Sequence, residues 1–336
     1  MRSPPDDLAP DAVREAVAAG WSLRAVSMAY VPEGGGAHHW KLIDSGGESY
    51  FVTVDDLDSK NWIADTRDLT FDGLERVFGL AVELRDSVGL EFVLAPVPAT
   101  DGRMVRRLDD RYGVSVFPFL AGHSFPFGQY TDDVIRNRAI DMVAALHRAT
   151  PAVHTRVPVI APGFAGRSEL DAFLAEPERP WDGGPYAEST RRVLAQHTVH
   201  IAQLVAGFDG LVDATASGRA EPVITHGEPH PANLLSVNGR LLLIDWDTVG
   251  LAQHERDVSL IVGRDGAGMA RYVRQTGRQI DPSAMTLYRL RWYLDDLASA
   301  VRMFRQPHLD SAETRRWSAS VAPELHELPI WLNRLA

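Results

Sequence analysis

The chain has 336 residues, which is enough for one large or two medium domains that each bury a core. Hydrophobic residues make up 45% of it and charged residues 24%, a composition typical of globular proteins that excludes a disordered or fibrous chain. Because it contains no run of about 18 apolar residues, no transmembrane helix and no membrane partner is expected.

The acidic balance of the chain bears on its partners and its location. A formal net charge of -11 disfavours nucleic acid, which requires a basic surface, and favours a cationic small molecule. The alternative is that the charge only keeps the protein in solution. The first ten residues lack the apolar core of a secretory signal and the chain has no cysteine, so a cytoplasmic protein is expected.

The N-terminal third of the chain predicts a helix followed by a sheet. Apolar residues at helical spacing over 10–20 predict a helix that ends at Gly20, a residue type that commonly follows the last helical turn. Apolar runs separated by glycine, proline and aspartate then predict strands. The expected strands cover residues 23–31, 40–43, 50–54, 92–95 and 111–119.

The remainder of the chain is expected to be mainly helical. Residues 151–187 are rich in proline and glycine and predict a short helix with surface loops. Thr131 is the expected N-cap of the helix that follows the last strand. Helices are predicted over residues 68–88, 131–148, 188–216, from 255 onward, over 283–304 and over 311–334.

A hairpin is predicted where Asn238-Gly239 separates two apolar runs, because both turn residues tolerate a positive φ. If Val237 pairs with Arg240, the register continues to Asn233 opposite Ile244. That register leaves Asp245 diagonal to Asn233 at the open end. An amide oxygen and a carboxylate are ligands that suit Mg²⁺, so Asn233 and Asp245 are the predicted metal ligands.

The residues around this hairpin follow the order of a kinase catalytic loop. His226, Glu228 and Asn233 precede the hydrophobic strand, and Asp245 ends it. The stretch resembles the aminoglycoside phosphotransferase family of antibiotic kinases, whose usual form is HGDxHxxN followed by IDW. The resemblance is strongest to actinobacterial members that phosphorylate spectinomycin, viomycin or capreomycin. One departure is that Glu228 stands where the family has its catalytic aspartate.

The resemblance implies an α+β, two-lobed protein-kinase-like fold. It places a small antiparallel-sheet N-lobe over residues 1–117 and a larger, mainly helical C-lobe over residues 118–336. It implies transfer of a phosphoryl group from ATP or GTP, with Mg²⁺, to a hydroxyl of a cationic antibiotic, for resistance or self-protection, by a monomer or a dimer.

The nucleotide site implied by the resemblance has an unusual composition. The glycines Gly34, Gly35 and Gly36 would cover the phosphates, although they do not form the kinase pattern and a flexible turn explains them equally well. The third strand carries Thr53 where kinases carry a phosphate-pairing lysine. Lys41, which is in the sheet, is the preferred replacement.

Further nucleotide contacts are expected near the end of the sheet. Lys60 is the second candidate for the missing lysine, and Glu75 or Glu83 on the following helix would orient either lysine unless both are merely solvated. The segment around Phe117 and Phe119 resembles the interlobe hinge of the family, whose backbone would bind adenine.

The catalytic roles follow from the loop order. Glu228 would accept the proton of the acceptor hydroxyl or orient that hydroxyl; the alternative is an indirect hydrogen-bonding role. His226 is expected to brace the loop. His230 could either pack within the loop or contact the substrate. Asp247 could either bind a second metal ion or contact the substrate. The segment Glu255-Arg256-Asp257 matches the family and is expected to support the loop.

The acceptor site is predicted on the helix over 283–304. Its adjacent acids Asp295 and Asp296 point about 100° apart around the helix axis. One of the two carboxylates can therefore face a cleft and attract an ammonium or guanidinium group of the substrate. The alternative is that both are solvated or paired with Arg289 or Arg291.

Two other functions remain open on sequence alone. The chain could be a nucleotide-binding pseudokinase or an antibiotic-sequestering module, because Thr53 and Glu228 depart from the kinase pattern. It could also be a metabolic kinase of the same fold that acts on homoserine or choline.

Overall fold

The computed structural model describes residues 4–5, 7–216, 221–263 and 265–335. The chain divides into two compact units. The first comprises Met1–Ile160 and Pro222–Arg278, and the second comprises Ala161–Glu221 and Gln279–Ala336. The lobe boundary expected at residue 117 stays a prediction.

The first unit contains a five-stranded antiparallel sheet with the order β1-β2-β3-β5-β4. On β3, Thr53 lies opposite His39 of β2 and Ser115 of β5. The strands are β1 (Ala25–Val31), β2 (His38–Asp44), β3 (Ser49–Asp56), β4 (Arg106–Arg107) and β5 (Tyr112–Pro118).

One face of this sheet is covered by helix α1 (Pro10–Trp21), whose buried valines pack with Trp40 and neighbouring strand residues. The helix runs past the expected end at Gly20. The reason is that Trp21 is buried and its indole N–H donates to the Val97 carbonyl at 2.7 Å, which keeps one more residue in the helix. Ser22, with a φ of 57°, ends the helix instead of a glycine.

Helix α2 (Arg67–Val82) begins at Thr66, whose side chain accepts from the Leu69 amide, and it continues as a single wider turn over Glu83–Ser87. The strand expected over 92–95 is wrong. That segment makes one isolated parallel bridge, between Val93 and Leu243, because it meets only the edge of a distant hairpin.

The rest of the first unit holds the short strands and helices around that hairpin. Val237 pairs with Arg240, and Asn238 and Gly239 have φ values of 49° and 79°, so the predicted hairpin and its register are confirmed. Asp132, not Thr131, caps the next helix, because its carboxylate accepts from two amides. The elements are β6 (His123–Ser124), α3 (Asp133–Ala149), β7 (Val223–Thr225), β8 (Leu234–Val237), β9 (Arg240–Leu243), β10 (Gly250–Ala252), α7 (Glu255–Ile261) and α8 (Met269–Thr276).

In its described residues the second unit is built of helices. The expected tail helix over 311–334 is in fact two helices, because the His326 amide turns back to the Pro323 carbonyl and thereby allows both Leu325 and Leu328 to be buried. The helices are α4 (Arg167–Ala175), α5 (Ala187–Ala195), α6 (Thr198–Ala216), α9 (Pro282–Arg305), α10 (Ala312–Leu325) and α11 (Leu328–Leu335).

Helix α9 is the centre of the second unit. Four leucines at helical spacing form an apolar seam along it, and all of them are fully buried: Leu287, Leu290, Leu294 and Leu297. Within the described ranges, none of the helices is long and apolar enough to cross a membrane. The sheet-bearing N-terminal region and the helical C-terminal region confirm the expected α+β class.

Candidate active site

The loop between β7 and β8 is fixed from inside by His226. The ring is buried; its Nε2–H donates to the Ile244 carbonyl at 2.9 Å, and its Nδ1 accepts from the Glu228 amide at 3.2 Å. These two bonds define the neutral tautomer that carries its proton on Nε2. Burial also favours the neutral ring, because it lowers the pKa of His226 to about 4. His226 therefore braces the loop, as expected.

A buried carboxylate holds the same loop from the other side. Asp257 of α7 accepts from the amides of His226 and Gly227 at 2.8 and 2.7 Å and lies 3.1 Å from His147 Nε2. Burial would raise its pKa, but the hydrogen bonds and the charges of its neighbours outweigh burial and lower the pKa. Asp257 is therefore held ionised and supports the loop, as predicted for this segment.

The peptide at Gly227 requires a glycine. Its φ is +100°, and a Cβ there would lie 2.3 Å from the Arg256 guanidinium. That guanidinium donates to the Thr225 hydroxyl and to the Thr248 carbonyl at 2.8 and 3.0 Å. The glycine allows the buried arginine to tie together the two ends of the loop.

Glu228 and Asn233 are linked through the backbone. The Glu228 carbonyl accepts from the Asn233 side-chain amide at 3.0 Å and from the His230 amide at 2.8 Å. Because the Asn233 nitrogen is engaged in this way, its amide oxygen is the atom that can serve as a ligand. The Glu228 side chain is 35% exposed, so an acceptor molecule can reach its carboxylate.

Asp245 follows β9 with a φ of +68°, a conformation that is uncommon for a residue with a side chain. Its side chain reaches solvent, yet it lies among enough protein atoms that desolvation raises its pKa well above the usual value. The charges of Asp247 and Glu228 raise the pKa further. The carboxylate is therefore placed where negative charge is already concentrated.

A buried lysine lies next to this concentration of carboxylates. Lys60 Nζ is 2.6 Å from Asp247 Oδ2 and 3.0 Å from Asp55 Oδ1, and all three residues are buried. Burial alone would lower the lysine pKa, but the attraction of Asp247 and Asp55 outweighs it and raises the pKa. We call Asp55, Lys60, Asp245 and Asp247 the charge cluster; it contains three carboxylates and one ammonium group.

The glycine-rich connection between β1 and β2 reaches this cluster. Gly34 has a φ of +77°, and a Cβ on Gly36 would lie 3.8 Å from Lys60 Nζ. The ring of Trp62 is centred 5.1 Å from the same nitrogen. The connection and Trp62 therefore both lie beside the lysine of the cluster.

Other predicted nucleotide contacts are placed elsewhere on the sheet. Lys41 Nζ lies 4.1 Å from the centre of the Phe119 ring, and the Phe119 amide donates to the Ser49 carbonyl at 3.2 Å. Phe117 meets Phe78 edge-on, with ring centres 5.6 Å apart. These contacts favour Lys60 over Lys41 as the replacement for the missing strand lysine.

The sequence profile of the phosphotransferase enzyme family matches residues 35–288, more than half of the chain. The chain belongs to the phosphotransferase enzyme family. The matched span includes the charge cluster and the whole loop from Thr225 to Asp257, so the family assignment covers the geometry described above.

One curated relative of this phosphotransferase is Protein StrN of Streptomyces griseus. The two are 30% identical over 264 residues, which are 75% of this chain and 76% of StrN. The identity is spread over most of both chains.

Two solved structures show the fold. The spectinomycin phosphotransferase APH(9)-Ia, in complex with ADP and spectinomycin, superimposes with a TM-score of 0.73 at 15% identity and covers 98% of this chain and 99% of its own. A microcompartment-associated aminopropanol kinase has a TM-score of 0.61 at 15% identity and covers 95% and 98%. The kinase-like fold expected from the sequence is thus confirmed.

His230 and the acids of α9 complete the predicted set. His230 is buried, its Nε2 lies 3.9 Å from Glu228 Oε2, and its ring packs edge-on against Phe127. In the second unit, Asp295 Oδ2 lies 3.7 Å from Arg291, while its Oδ1 is buried and meets no hydrogen-bond donor in the described part of the chain. Desolvation raises the pKa of Asp295 to about 6, and Asp296 is half-buried beside it.

Sequence reasoning missed Asp55 as a member of the site. Asp55 was not among the predicted site residues, and Lys60 was only the second candidate for the missing lysine. The available signal was the proximity of an acid and a lysine in the short segment Asp55–Lys60, directly after the strand where kinases carry their lysine.

Proposed function

We propose that this phosphotransferase transfers the γ-phosphoryl group of ATP or GTP, together with Mg²⁺, to a hydroxyl of a cationic small molecule such as an antibiotic. The observation that carries the proposal is the surplus of negative charge in the charge cluster, beside a loop that presents Glu228 and Asn233. Lys60 balances only one of the three carboxylates, so the cluster fits a ligand that brings positive charge.

Mg²⁺ fits the residues that are present. The Asn233 amide oxygen and the Asp245 carboxylate would hold the ion, which prefers one or two protein oxygens and takes its other ligands from water and phosphate. Desolvation and the charges of Asp247 and Glu228 beside Asp245 raise its pKa, so a cation at this place would be attracted by several carboxylates. When bound, Mg²⁺ would neutralise negative charge that develops on the phosphates during transfer.

The chain's own residues would position the reactants. Lys60 would donate to phosphate oxygens, and the amides of the glycine-rich connection would cover them. The acceptor oxygen forms a bond to the γ-phosphorus as the bond from that phosphorus to the bridging oxygen of the nucleotide breaks. Glu228 would accept the proton that the hydroxyl releases; its extra methylene moves the carboxylate by about 1.5 Å relative to an aspartate.

The preference for a cationic acceptor is supported by the second unit. Asp295 lies 3.7 Å from Arg291, and one of its carboxylate oxygens meets no hydrogen-bond donor in the described ranges, so its negative charge is only partly compensated within its own unit. The net charge of -11 favours the approach of such a molecule. Among the relatives, one name specifies an antibiotic and another an amino alcohol.

The test is a transfer assay read by mass spectrometry. The purified protein is incubated with ATP or GTP, MgCl₂ and a panel of aminocyclitols, aminoglycosides, basic peptides, choline and neutral sugars. We expect a gain of about 80 Da, the mass of one phosphoryl group, on a cationic acceptor and not with Glu228→Gln. Nucleotide binding without transfer to any acceptor would indicate a binding module, and an efficient neutral acceptor would contradict the cationic preference.

A further inference from the structure

We propose that Lys60 and Asp55 form the phosphate-anchoring pair of this enzyme, in place of a lysine on the third strand and an acid on the following helix. The inference rests on the proposed function, because it assigns the pair to the phosphates of the nucleotide. It also implies that helix α2 plays no part in orienting the lysine.

The third strand itself supplies no cation at the expected place. Thr53 lies between His39 and Ser115 in the sheet, and its hydroxyl is 3.3 Å from His39 Nδ1. Burial lowers the pKa of His39 to about 3, so that ring is neutral and does not replace a lysine. A cation for the phosphates must therefore come from another position.

Lys60 meets the requirements for such a cation. An ammonium group has three N–H donors, and carboxylates of Asp55 and Asp247 accept two of them. The third N–H is left for another acceptor. The glycine-rich connection passes close by, since a Cβ built on Gly36 would lie 3.8 Å from Nζ. Lys60 therefore links the sheet to the segment that carries Asp245, as a phosphate anchor must.

The acids of helix α2 are occupied elsewhere. Glu75 Oε2 accepts from the amides of Met104 and Val105 at 2.9 and 2.8 Å. Glu83 accepts from the amides of His154 and Thr155 at 2.6 and 2.9 Å. Both glutamates thus fasten backbone segments, and neither contact involves a lysine. The expectation that one of them orients a lysine finds no counterpart among the described contacts.

The chain between Asp55 and Lys60 forms one tight turn that holds the pair together. Asp56 begins the turn: its carboxylate accepts from the Asp58 amide at 3.1 Å, and its carbonyl accepts from the Ser59 hydroxyl at 2.8 Å. Arg111 pairs with the Asp56 carboxylate at 2.6 Å and fixes the turn to the sheet. Lysine and acid therefore belong to one rigid segment, so a shift of α2 does not separate them.

The alternative is a buried ion pair that only stabilises the fold, and nucleotide binding can separate the two roles. Calorimetry would measure the affinity for Mg²⁺ with AMP-PNP and, separately, for adenosine, which has no phosphate. The variants are Lys60→Met, Lys60→Arg and Asp55→Asn. Lys41→Met tests the competing lysine, and Glu75→Gln is the matched control on α2.

We expect Lys60→Met to weaken AMP-PNP binding by about 10-fold or more while adenosine binding stays within about twofold, because only a charge-assisted hydrogen bond to phosphate is lost. Asp55→Asn should weaken AMP-PNP binding in the same direction, and Lys60→Arg should retain part of it. Glu75→Gln should leave both affinities unchanged and only lower the melting temperature.

Three results would overturn the inference: a loss confined to Lys41→Met, a loss in Glu75→Gln, or an equal loss of AMP-PNP and adenosine affinity in Lys60→Met. The last result would indicate a structural role. If Lys60→Met does not fold, the AMP-PNP affinities of Asp55→Asn and Glu75→Gln are compared instead. The inference then requires a loss of affinity in Asp55→Asn and none in Glu75→Gln. Failure of the wild-type protein to bind AMP-PNP would instead contradict the proposed function.

Discussion

Two polar regions of the first unit differ in how their carboxylates are compensated. In the bracing network under the loop, Asp257 meets donors from His226, Gly227 and His147, and its pKa is lowered. In the charge cluster, carboxylates outnumber cations, and the pKa of Asp245 is raised. The fold itself satisfies the first carboxylate, whereas we propose that the second binds a metal ion.

The difference separates residues that hold the site from residues that act in it. A buried carboxylate with a lowered pKa stabilises the folded state at pH values above its unfolded pKa, and that contribution is lost as the pH falls through the folded pKa. One with a raised pKa destabilises the unliganded protein once it ionises. Substitutions in the two regions should therefore change stability in opposite directions.

The largest effect is expected from Asp245→Asn in the charge cluster. Turnover should fall by about 10²–10³-fold, because a residue that supports charge neutralisation in transfer is lost. The melting temperature measured without Mg²⁺ should rise, because the amide removes repulsion by Asp247 and Glu228. Turnover near the wild-type value at saturating Mg²⁺ would show that Asp245 is not a metal ligand.

The next largest effect is expected from Glu228, a residue of the loop that the bracing network holds. Glu228→Gln should lower kcat by about 10²-fold with little change in nucleotide affinity, as expected for a lost general base. Steady-state kinetics with the acceptor found in the transfer assay measures both quantities. If kcat stayed nearly normal, the base would have to be another residue.

In the bracing network, Asp257→Ala should lower the free energy of unfolding by about 3 kcal/mol or more, because it leaves buried amide donors without an acceptor. Urea denaturation would measure the change. The matched control is Asp171→Ala, which breaks an exposed pair with Arg167 and should cost less than about 1 kcal/mol. Similar losses in the two variants would mean that the network does not hold the loop.

The smallest effect is expected in the second unit, where Asp295 has a raised pKa of about 6. The KM for a cationic acceptor should rise as the pH falls through about 6, because protonation removes the charge that attracts it. In Asp295→Asn the KM should be about 10-fold higher at pH 8 and should no longer change around pH 6. An unchanged pH profile in this variant would exclude Asp295 from acceptor binding.

Local signals explain what the sequence could predict. The Asn238-Gly239 turn and its apolar flanks fix the hairpin, and the spacing of Glu228, Asn233 and Asp245 fixes their order along the loop. These features depend on neighbouring residues and on the geometry of one turn. The helix seam of α9 was likewise predictable, because its period is a property of the helix alone.

Distant contacts explain what the sequence could not predict. Lys60 is held in the charge cluster by Asp247, a residue 187 positions away in the chain. Among the described residues, the segment over 92–95, which was expected to be a strand, makes one isolated bridge, from Val93 to Leu243 at the edge of the hairpin. Helix α1 extends one residue beyond its expected end, to Trp21, because the indole N–H donates to the Val97 carbonyl. No local pattern contains these partners.

The most direct test of the charge cluster as a metal–nucleotide site uses Mn²⁺ in place of Mg²⁺. Electron paramagnetic resonance would measure free Mn²⁺ during titration of the wild-type protein and of Asp245→Asn, each with and without AMP-PNP. The account predicts that AMP-PNP tightens Mn²⁺ binding to the wild-type protein and that the folded Asp245→Asn variant loses this binding. Equal Mn²⁺ binding by the two proteins in the presence of AMP-PNP would contradict it.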